Sequence, residues 1–585
     1  MIQKLKIGVF FGGISKEREQ SFRWVKSILP HLDLQLFEPI LLFVDSLGNI
    51  IHVEESILEE ESIRRFYPSR NLNRGYRIYI EHLGQLNETQ LYKLIYKIGK
   101  QVKLEHLSSQ IDFGLLALQG SVKESGQLQG ILDWLQIPYS GPSQLGASIQ
   151  SDRAFLHGIF QASTYSDKKY QTITYSEWTE ADKGKVFQDI INQIGFPFII
   201  SPASQGFEKN HVIIKKRSLE EFVRAVQKCF QEVTIYQKDW KKASAKQRKN
   251  AIERLINIEY GIGLPALMPT QELIEHPADL ASYLNEYFKT PTHEYITIRS
   301  YKIENQLFVE SFTIGQEFIC AVMSDMNEKT VALPPIEIST ESESGLAIEA
   351  PLLLASEETI RQIRGMATTL FQKTQQDFLS FFRGYVTPDK RIVFQEIYPQ
   401  PLLTHLSLTK KILSLFGFTP QDLFTAQVVF GTASKKKNGG ALPIYEQLLS
   451  RLQIAITTNK QAEKTKVGVL FEENTTQYLQ ASRWFEAIQK KESGQIEPIA
   501  ICLAANGFMF QIPSQWMNFD SFEELAYILS KKNAPEIEDL KIQLLSILNT
   551  VSQSMDLDIT KWEEQNIIDE LQAVYYVKED RLITL

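Results

Sequence analysis

The sequence is poor in cysteine and contains no long apolar run. Its three cysteines, Cys229, Cys320 and Cys502, lie far apart in 585 residues, which excludes a disulfide framework and is typical of a reducing compartment. A membrane-spanning helix needs about 18 or more apolar residues in succession, and no such run occurs. The short apolar run near the start ends at two glycines instead of a signal-peptide cleavage site. We therefore expect a cytoplasmic protein without a membrane partner.

The sequence also lacks an excess of positive charge. Its net charge is −8 and its pI is about 5.8, whereas nucleic acids and anionic membranes bind basic surfaces. Residues 238–254 are rich in lysine and arginine, but they have few periodic apolar positions, which favours a solvated helix over a nucleic-acid patch. The charge pattern therefore predicts no nucleic-acid partner.

The first strong pattern is KIGVFFGGISKEREQS, at residues 6–21. The apolar run at 6–11 predicts a strand buried on both faces, as in a parallel sheet. Gly12 and Gly13 end this strand, and the apolar spacing over residues 22–29 predicts a helix. A strand, a glycine pair and a helix start can form a concave site of backbone N–H groups for an anion or a carboxylate. An ordinary strand-to-helix turn explains the same residues equally well.

Alternating strands and helices continue through the first 150 residues. We predict strands at 40–44 and 111–118, and helices at 91–98 and 128–135. This order is typical of an α/β domain with a parallel sheet. Because ligands bind such sheets at the carboxyl ends of the strands, the loop at 119–125 is a second part of the candidate site.

The next part of the chain predicts an α+β unit. A helix is expected at 360–371, and an apolar strand carrying Glu396 at 391–398. The glycine- and lysine-rich stretch 431–440 has the composition of a flexible linker. Before these elements we predict a hairpin formed by strands at 195–200 and 212–214. Three successive antiparallel strands are then predicted at 295–303, 307–313 and 317–323.

The carboxyl-terminal region contains an internal repeat of the beginning of the chain. KVGVLF at 466–471 matches KIGVFF at 6–11, and three further matches follow in the same order. In the second copy, Glu472 and Glu473 replace the glycine pair, and two glutamates cannot form a glycine turn. We interpret this region as an incomplete, structural copy of the first domain. The further matches are Arg483-Trp484 with Arg23-Trp24, Glu497-Pro498-Ile499 with Glu38-Pro39-Ile40, and Gly507 with Gly48.

Five longer motifs, found in order within roughly residues 1–430, resemble the D-alanine:D-alanine ligase family of ATP-grasp enzymes. The resemblance implies an α/β domain followed by two lobes that clamp ATP and magnesium. It also implies that two D-alanine molecules are joined through an acyl-phosphate for peptidoglycan synthesis, and we expect a homodimer. The motifs are GGISKEREQS (12–21), ESGQLQGILDWLQIPYSGP (124–142), SDRAFL (151–156), VESFTIGQEF (309–318) and LPPIEI (333–338).

Matching these motifs residue by residue implies a site. Glu17, with Ser15 in the same loop, would form the catalytic pair, Glu17 holding the substrate ammonium. Glu310 and Glu317 would face the adenosine. Two further matched positions are Arg153, where a phosphate-binding lysine is usual, and Glu396, a magnesium ligand. Phosphoryl transfer to a carboxylate needs such cationic clamps and hard oxygen ligands.

Other positions depart from the family pattern. Ser201 replaces a nucleotide-binding lysine, Phe207 a loop serine and Gln119 a histidine. An ungapped count places Arg383 where an aspartate magnesium ligand belongs, and Tyr398 replaces an asparagine ligand. A guanidinium and a phenol cannot bind Mg²⁺ as carboxylate and amide oxygens do.

The sequence therefore predicts a division of the chain and leaves two functions open. The predicted parts are an α/β domain (1–150), an ATP-grasp domain (151–430) with an insertion near 231–290, a linker (431–465) and the degenerate copy (466–585). One hypothesis is a ligase of the D-alanine:D-alanine type with a substituted site. The other is a non-catalytic relative that binds a nucleotide or a partner protein as a scaffold. The missing magnesium ligands favour the second.

Overall fold

The fold was analysed in a computed structural model of the full chain. Within its described residues the chain forms five β-sheets surrounded by helices. The structure describes residues 4–13, 15, 17–67, 75–76, 86–118, 126–164, 168–203, 211–257, 261–301, 305–324, 329–338, 355–398, 420–437, 442–461, 465–491, 496–505, 507–512, 516–517, 519, 521–523, 525–526, 573–578 and 581–584.

The amino-terminal unit is an open α/β sheet. Its elements are β1 (Leu5–Gly12), α1 (Arg18–Ile28), β2 (Phe37–Val44), β3 (Ile50–Val53), α2 (Glu88–Ile98), β4 (Gly99–Val102), α3 (Leu107–Gln110), β5 (Phe113–Leu116) and α4 (Gln127–Trp134). The strand order is β4-β3-β2-β1-β5, with β1 parallel to both β2 and β5. The two faces of β1 pack into different hydrophobic cores, Phe11 into one and Phe10 into the other, so apolar residues are needed on both faces, as the run at 6–11 predicts.

The middle of the chain forms three further sheets. Its elements are α5 (Gln144–Ser151), α6 (Arg153–Thr164), β6 (Tyr170–Thr174), α7 (Tyr175–Glu180), α8 (Lys183–Gln193), β7 (Phe198–Pro202), β8 (Val212–Ile214), α9 (Leu219–Cys229), β9 (Glu232–Tyr236), α10 (Gln237–Lys242), α11 (Ala245–Leu255), β10 (Ala266–Leu267), β11 (Leu273–Ile274), α12 (Pro277–Tyr287), β12 (Tyr295–Ser300), β13 (Gln306–Ser311), β14 (Gln316–Ser324), β15 (Thr330–Ala332), β16 (Ile336–Glu337), α13 (Glu357–Lys373), β17 (Leu379–Val386) and β18 (Ile392–Tyr398).

Each of these three sheets packs against a separate hydrophobic core. The first lobe has the strand order β6-β13-β7-β8 and packs against α8 and α9. The second lobe has the order β15-β14-β17-β18, with β16 beside β14, and packs against α6 and α13. Residues 232–300 form the third sheet, β11-β10-β12-β9, with a core of their own. Most of this sheet lies where the sequence predicts an insertion, near 231–290, but β12 lies beyond that range.

The prediction of three successive antiparallel strands is wrong in one respect. The three strands exist as β12, β13 and β14, but each belongs to a different sheet. Strand β12 pairs with β9, β13 with β6 and β7, and β14 with β17. The predicted hairpin of β7 and β8 is confirmed. Local sequence indicates where a strand forms, whereas its partner depends on long-range packing.

The carboxyl-terminal region begins with two helices where a flexible linker is predicted. Its elements are α14 (Pro420–Lys437), α15 (Leu442–Gln461), β19 (Thr465–Glu472), α16 (Thr475–Lys491), β20 (Ile496–Leu503), β21 (Met509–Ile512), β22 (Ala573–Lys578) and β23 (Arg581–Thr584). Both helices bind the amino-terminal unit: Lys435 Nζ lies 2.6 Å from Asp133 Oδ1, and Arg451 Nη1 lies 3.1 Å from Asp112 Oδ1. The domain boundaries at 150, 430 and 465 stay a prediction.

Four strands of the internal repeat have the same topology in both copies, whereas the fifth lies at opposite edges, β4 beside β3 and β23 beside β22. Strand β19 is parallel to β20 and β22, as β1 is to β2 and β5, and β21 is antiparallel to β20, as β3 is to β2. The register also agrees, because Ile7 pairs with Pro39 in the first copy and Val467 pairs with Pro498 in the second. The predicted incomplete second copy is therefore confirmed. Trp24 is buried, and its counterpart Trp484 packs partly buried against the same hydrophobic cluster.

This cluster connects the two copies, the intervening helices and one face of the second lobe. It includes Phe11 in the first copy, Phe471 in the second, Phe430 on α14 and Phe381 on β17. Among the described helices, none is both long and apolar enough to cross a membrane. The largest core of the described chain is thus shared between its parts.

The end of β1 gives a test of why glycine is required there. Gly12 has φ +93°, and a Cβ added to it would lie 2.5 Å from the carbonyl oxygen of Val44. We expect Gly12→Ala to destabilise the chain by about 2–5 kcal/mol, from the left-handed backbone and from overpacking together. The measurement is the midpoint of urea unfolding.

Gly48→Ala is the matched control. Gly48 has φ +87°, but a Cβ there would have open space around it. We expect this variant to lose only the backbone part, about 1–2 kcal/mol. Equal losses in the two variants would contradict the role of the contact with Val44.

Candidate functional site

The amino-terminal loop places Ser15 and Glu17 at the start of α1, both with little exposure. The Glu17 amide donates to Ser15 Oγ at 3.3 Å. The amides of the glycine pair have partners within the protein, since Gly12 N donates to Ser21 Oγ at 2.9 Å and Gly13 N to the Val44 carbonyl at 2.8 Å. For the two glycines, this favours the strand-to-helix turn over an anion site.

A second group, the Glu310 cluster, joins Glu310 to Arg153, Lys168 and His157. Glu310 Oε1 lies 3.0 Å from Arg153 Nη2, and Oε2 lies 2.6 Å from Lys168 Nζ and 3.7 Å from His157 Nε2. The Glu310 side chain is fully buried and the other three are at most 8% exposed. Two cations therefore neutralise one carboxylate in a place that excludes water.

The pKa values of this cluster follow from burial and charge. Burial alone raises the pKa of Glu310, but Lys168, His157 and Arg153 outweigh it and lower that pKa to about 2. Burial lowers the pKa of His157 to about 3; the pull of Glu310 opposes this, and Lys168 and Arg153 reinforce it. At neutral pH His157 is consequently uncharged, and the ion pairs are those of Glu310 with Arg153 and Lys168.

A third group, the Arg383 cluster, joins Glu317, Glu396, Tyr398 and Tyr385 around Arg383. Arg383 Nε donates to Glu317 Oε1, and Nη1 donates to Glu396 Oε2 at 3.3 Å and to Tyr398 Oη at 3.4 Å. The Tyr398 hydroxyl also donates to Glu396 Oε2. One guanidinium therefore connects two carboxylates that lie on different strands.

The sheet of the second lobe brings these side chains together. Alternate residues of a strand share a face, and Arg383 on β17 lies directly opposite Glu396 on β18. Between Arg383 and Gly384 the register shifts by one residue, so that Gln395 has no partner across the strands. Such bulges redirect side chains at functional sites. The sequence pattern gives no sign of this shift.

The charges of the Arg383 cluster shift its pKa values. Burial lowers the pKa of Arg383, but Tyr398, Glu396 and Glu317 outweigh burial and raise it above its usual range. Burial raises the pKa of Tyr385 to about 12; Arg383 opposes the rise, while Glu317 and Glu396 add to it. Arg383 is thus a permanent cation and Tyr385 stays a neutral phenol at physiological pH.

The residues predicted to hold magnesium do not fit that ion. Magnesium needs several oxygen ligands in near-octahedral geometry, whereas Glu396 shares its Oε2 with a guanidinium and a phenol hydroxyl. No group of three or more His, Cys, Asp or Glu residues suited to a metal occurs in the part of the chain that the structure describes. The strand register places Arg383 opposite Glu396, and its assignment to the position of an aspartate ligand stays a prediction.

The other substituted positions divide into one that is described and two that are not. Ser201 is fully buried on β7, and its hydroxyl donates to the Phe308 carbonyl at 3.4 Å. Phe207 and Gln119 lie outside the described residues. Ser201 is consequently engaged with the neighbouring strand, where the resemblance implies a nucleotide-binding lysine.

Comparison with known proteins gives a consistent result. Residues 6–142 match the family model described as "D-ala D-ala ligase N-terminus". D-alanine–D-alanine ligase A of Chromobacterium violaceum is 22% identical over 436 residues, which are 73% of this chain and 94% of that protein. The chain is therefore similar, at low identity, to the D-alanine–D-alanine ligases. The ligase of Natranaerobius thermophilus is 29% identical over 225 residues, 38% of this chain and 56% of that protein.

The solved structure of one such ligase is also similar to this chain, at low sequence identity. The D-alanine–D-alanine ligase structure from Coxiella burnetii has 17% identity and a TM-score of 0.47, and the match covers 77% of this chain and 98% of that one.

His157 and Lys168 are not identified from the sequence as members of the Glu310 cluster. His157 follows Arg153 by four residues on α6, and that spacing on one helix face could have indicated the pair. Lys168 has no such signal, because Lys169 beside it is an equal candidate. Only the tertiary structure distinguishes the buried Lys168 from its neighbour.

Removing the charge of Glu310 tests the importance of this cluster. Glu310→Gln would leave Arg153 and Lys168 buried without their carboxylate, and we expect a loss of about 3–5 kcal/mol in the free energy of unfolding. Glu286→Gln is the control, since Glu286 pairs with Lys289 on the surface, with both side chains about 70% exposed. We expect it to change stability by less than about 1 kcal/mol. Urea unfolding measures both; similar small losses would show that the cluster does not stabilise the fold.

Proposed function

We propose that this chain is a non-catalytic relative of the D-alanine–D-alanine ligases, and that it binds nucleotide as a scaffold without magnesium-dependent ligation. The observation that carries the proposal is the position of the Arg383 guanidinium, 3.3 Å from Glu396 and bonded to Glu317. The resemblance implies metal binding by Glu396 and adenosine binding by Glu317. In this chain one arginine pairs with both carboxylates.

The charge of the Arg383 cluster argues against a second cation. Two carboxylates and one guanidinium leave a net charge of about −1, which is too little to hold a divalent ion together with Arg383. A metal bound to Glu396 Oε2 would also displace the donors from Arg383 and Tyr398. Catalysis of phosphoryl transfer depends on metal ions that neutralise the phosphates. The proposal therefore excludes the family's magnesium-dependent reaction from this site.

The Arg383 guanidinium could still contact the phosphates of a bound nucleotide. Arg383 is 22% exposed, and a guanidinium can bind phosphate oxygens without a metal. Glu310 is less available, because Arg153 and Lys168 already occupy both of its oxygens. We infer weak nucleotide binding through Arg383 that does not require magnesium.

The second candidate function is a ligase that acts on D-alanine with a modified site. It is favoured by the retention of Glu17 and Ser15 at the start of α1, and by a match that covers 94% of the Chromobacterium violaceum ligase. If the loop binds the ammonium of D-alanine, Glu17→Gln should weaken that binding by about 1.5–3 kcal/mol, the size of a charge-assisted hydrogen bond. Calorimetry measures this; an unmodified chain that does not bind D-alanine eliminates this candidate.

The role of Arg383 is tested by restoring the metal ligands of the family. We expect the unmodified chain to bind ATP equally with magnesium and with a chelator, and to form no D-alanyl-D-alanine. Arg383→Asp with Tyr398→Asn should make nucleotide binding magnesium-dependent, because two new oxygen ligands then join Glu396 in place of a cation and a proton donor. Calorimetric titration of ATP, with and without magnesium, measures the change.

Arg391→Asp serves as the control on the same hairpin. Arg391 pairs with Asp389 on the surface, both more than half exposed, so this variant should bind nucleotide like the unmodified chain. Magnesium-dependent formation of D-alanyl-D-alanine by the unmodified chain would overturn the proposal.

A further inference from the structure

Helix α6 lies between the two lobes and contacts both. Leu156 and Phe160 pack into the core of the second lobe. On the other side, Arg153 N donates to the Ala203 carbonyl at 3.2 Å, at the end of β7 in the first lobe. The Arg153 side chain reaches Glu310 on β13. The Glu310 cluster is thus a contact between α6 and the sheet of the first lobe.

The face of β13 that carries Glu310 is directed towards α6. Leu307 and Val309 point into the core of the first lobe, so Phe308 and Glu310 lie on the opposite face. Phe308 has its ring centroid 4.8 Å from that of His157 and 5.4 Å from the Arg153 guanidinium carbon. Aromatic and charged contacts together leave Phe308, His157 and Arg153 with little exposure.

The cluster has no capacity for another positive charge. In the described part of the chain, the charged groups that act on His157 are Arg153 on α6, Lys168 before β6 and Glu310 on β13. The ring centroid of Tyr170 on β6 lies 6.1 Å from that of His157. A proton on His157 would place three cations around one carboxylate. Burying an excess charge of that kind is costly, whereas separating α6 from β13 would expose it to water.

We propose that the Glu310 cluster is a proton-sensitive contact between the lobes, and that His157 is its sensor: protonation of His157 releases α6 from the β13 sheet. The inference is independent of the proposed function, since it requires neither nucleotide nor metal. It gives the chain a conformational response to acidification.

The direction of the pH effect follows from linkage. In the closed contact the pKa of His157 is lowered to about 3, and in the open state it returns to about 6.5. Between these two values the open state binds more protons, so acidification favours opening. From pH 7.5 to pH 5.0, one such histidine raises the open fraction by about 30-fold. The pKa of Glu310 lies below this window and adds little to it.

Hydrogen exchange of the full chain at pH 7.5 and pH 5.0 tests the proposal. The readout is the exchange of peptides from α6 and β13, corrected for the intrinsic effect of pH on each amide. We expect about 30-fold more opening at pH 5.0 in the unmodified chain, and no more than about a twofold change in His157→Gln. The control His106→Gln, at an exposed position, should behave like the unmodified chain.

Two results would overturn the proposal. One is a pH response in His157→Gln as large as that of the unmodified chain. The other is equal corrected exchange at both pH values in the unmodified chain, which decides the question even if His157→Gln fails to fold.

Discussion

A buried carboxylate must be neutralised within the protein, and the arrangement of both lobes depends on how this is done for Glu310, Glu317 and Glu396. All three are at most 7% exposed. Two cations, one on α6 and one before β6, neutralise Glu310, while Arg383 pairs with the other two from the middle of the sheet. Removing one member of a buried pair costs more than the pair itself contributes. These charges therefore constrain how α6, β13 and the second-lobe strands can pack.

Local patterns in the sequence predict most of the elements but not how they are joined. The apolar run of β1 and the proline that begins α14 are local signals, and both elements are present. The pairing of β12, β13 and β14 in three sheets depends on residues far apart in the chain, as does the register shift beside Arg383. For the same reason the sequence identifies Arg153 and Glu310 as separate site residues, and only the fold reveals that they bind each other.

The two copies of the amino-terminal unit explain why the second has lost its glycine pair. In the first copy, Asp45 Oδ1 accepts hydrogen bonds from the amides of Leu47 and Asn49 and so holds the turn after β2. The strand register places Ala504 at the position of Asp45, and alanine cannot accept these bonds. Glu473, which replaces a glycine, accepts from the Ala505 amide at 2.9 Å. Glu473 thus supports a turn that lacks the carboxylate that Asp45 supplies in the first copy. This is a structural role.

The substitutions that the resemblance implies at Arg383 and Tyr398 are chemically consistent with each other. An asparagine oxygen and an aspartate would direct lone pairs at a shared metal ion, so they require a cation between them. Arginine and tyrosine instead direct protons at Glu396 Oε2, so that a carboxylate suited to a metal becomes an acceptor of hydrogen bonds. Either change alone would leave a mismatch. With arginine alone, the asparagine oxygen would remain as a metal ligand beside a guanidinium. With tyrosine alone, a phenol would face a metal ion. Together they give Glu396 a neutralised environment that is built into the strands, and the cluster no longer needs an ion to be stable.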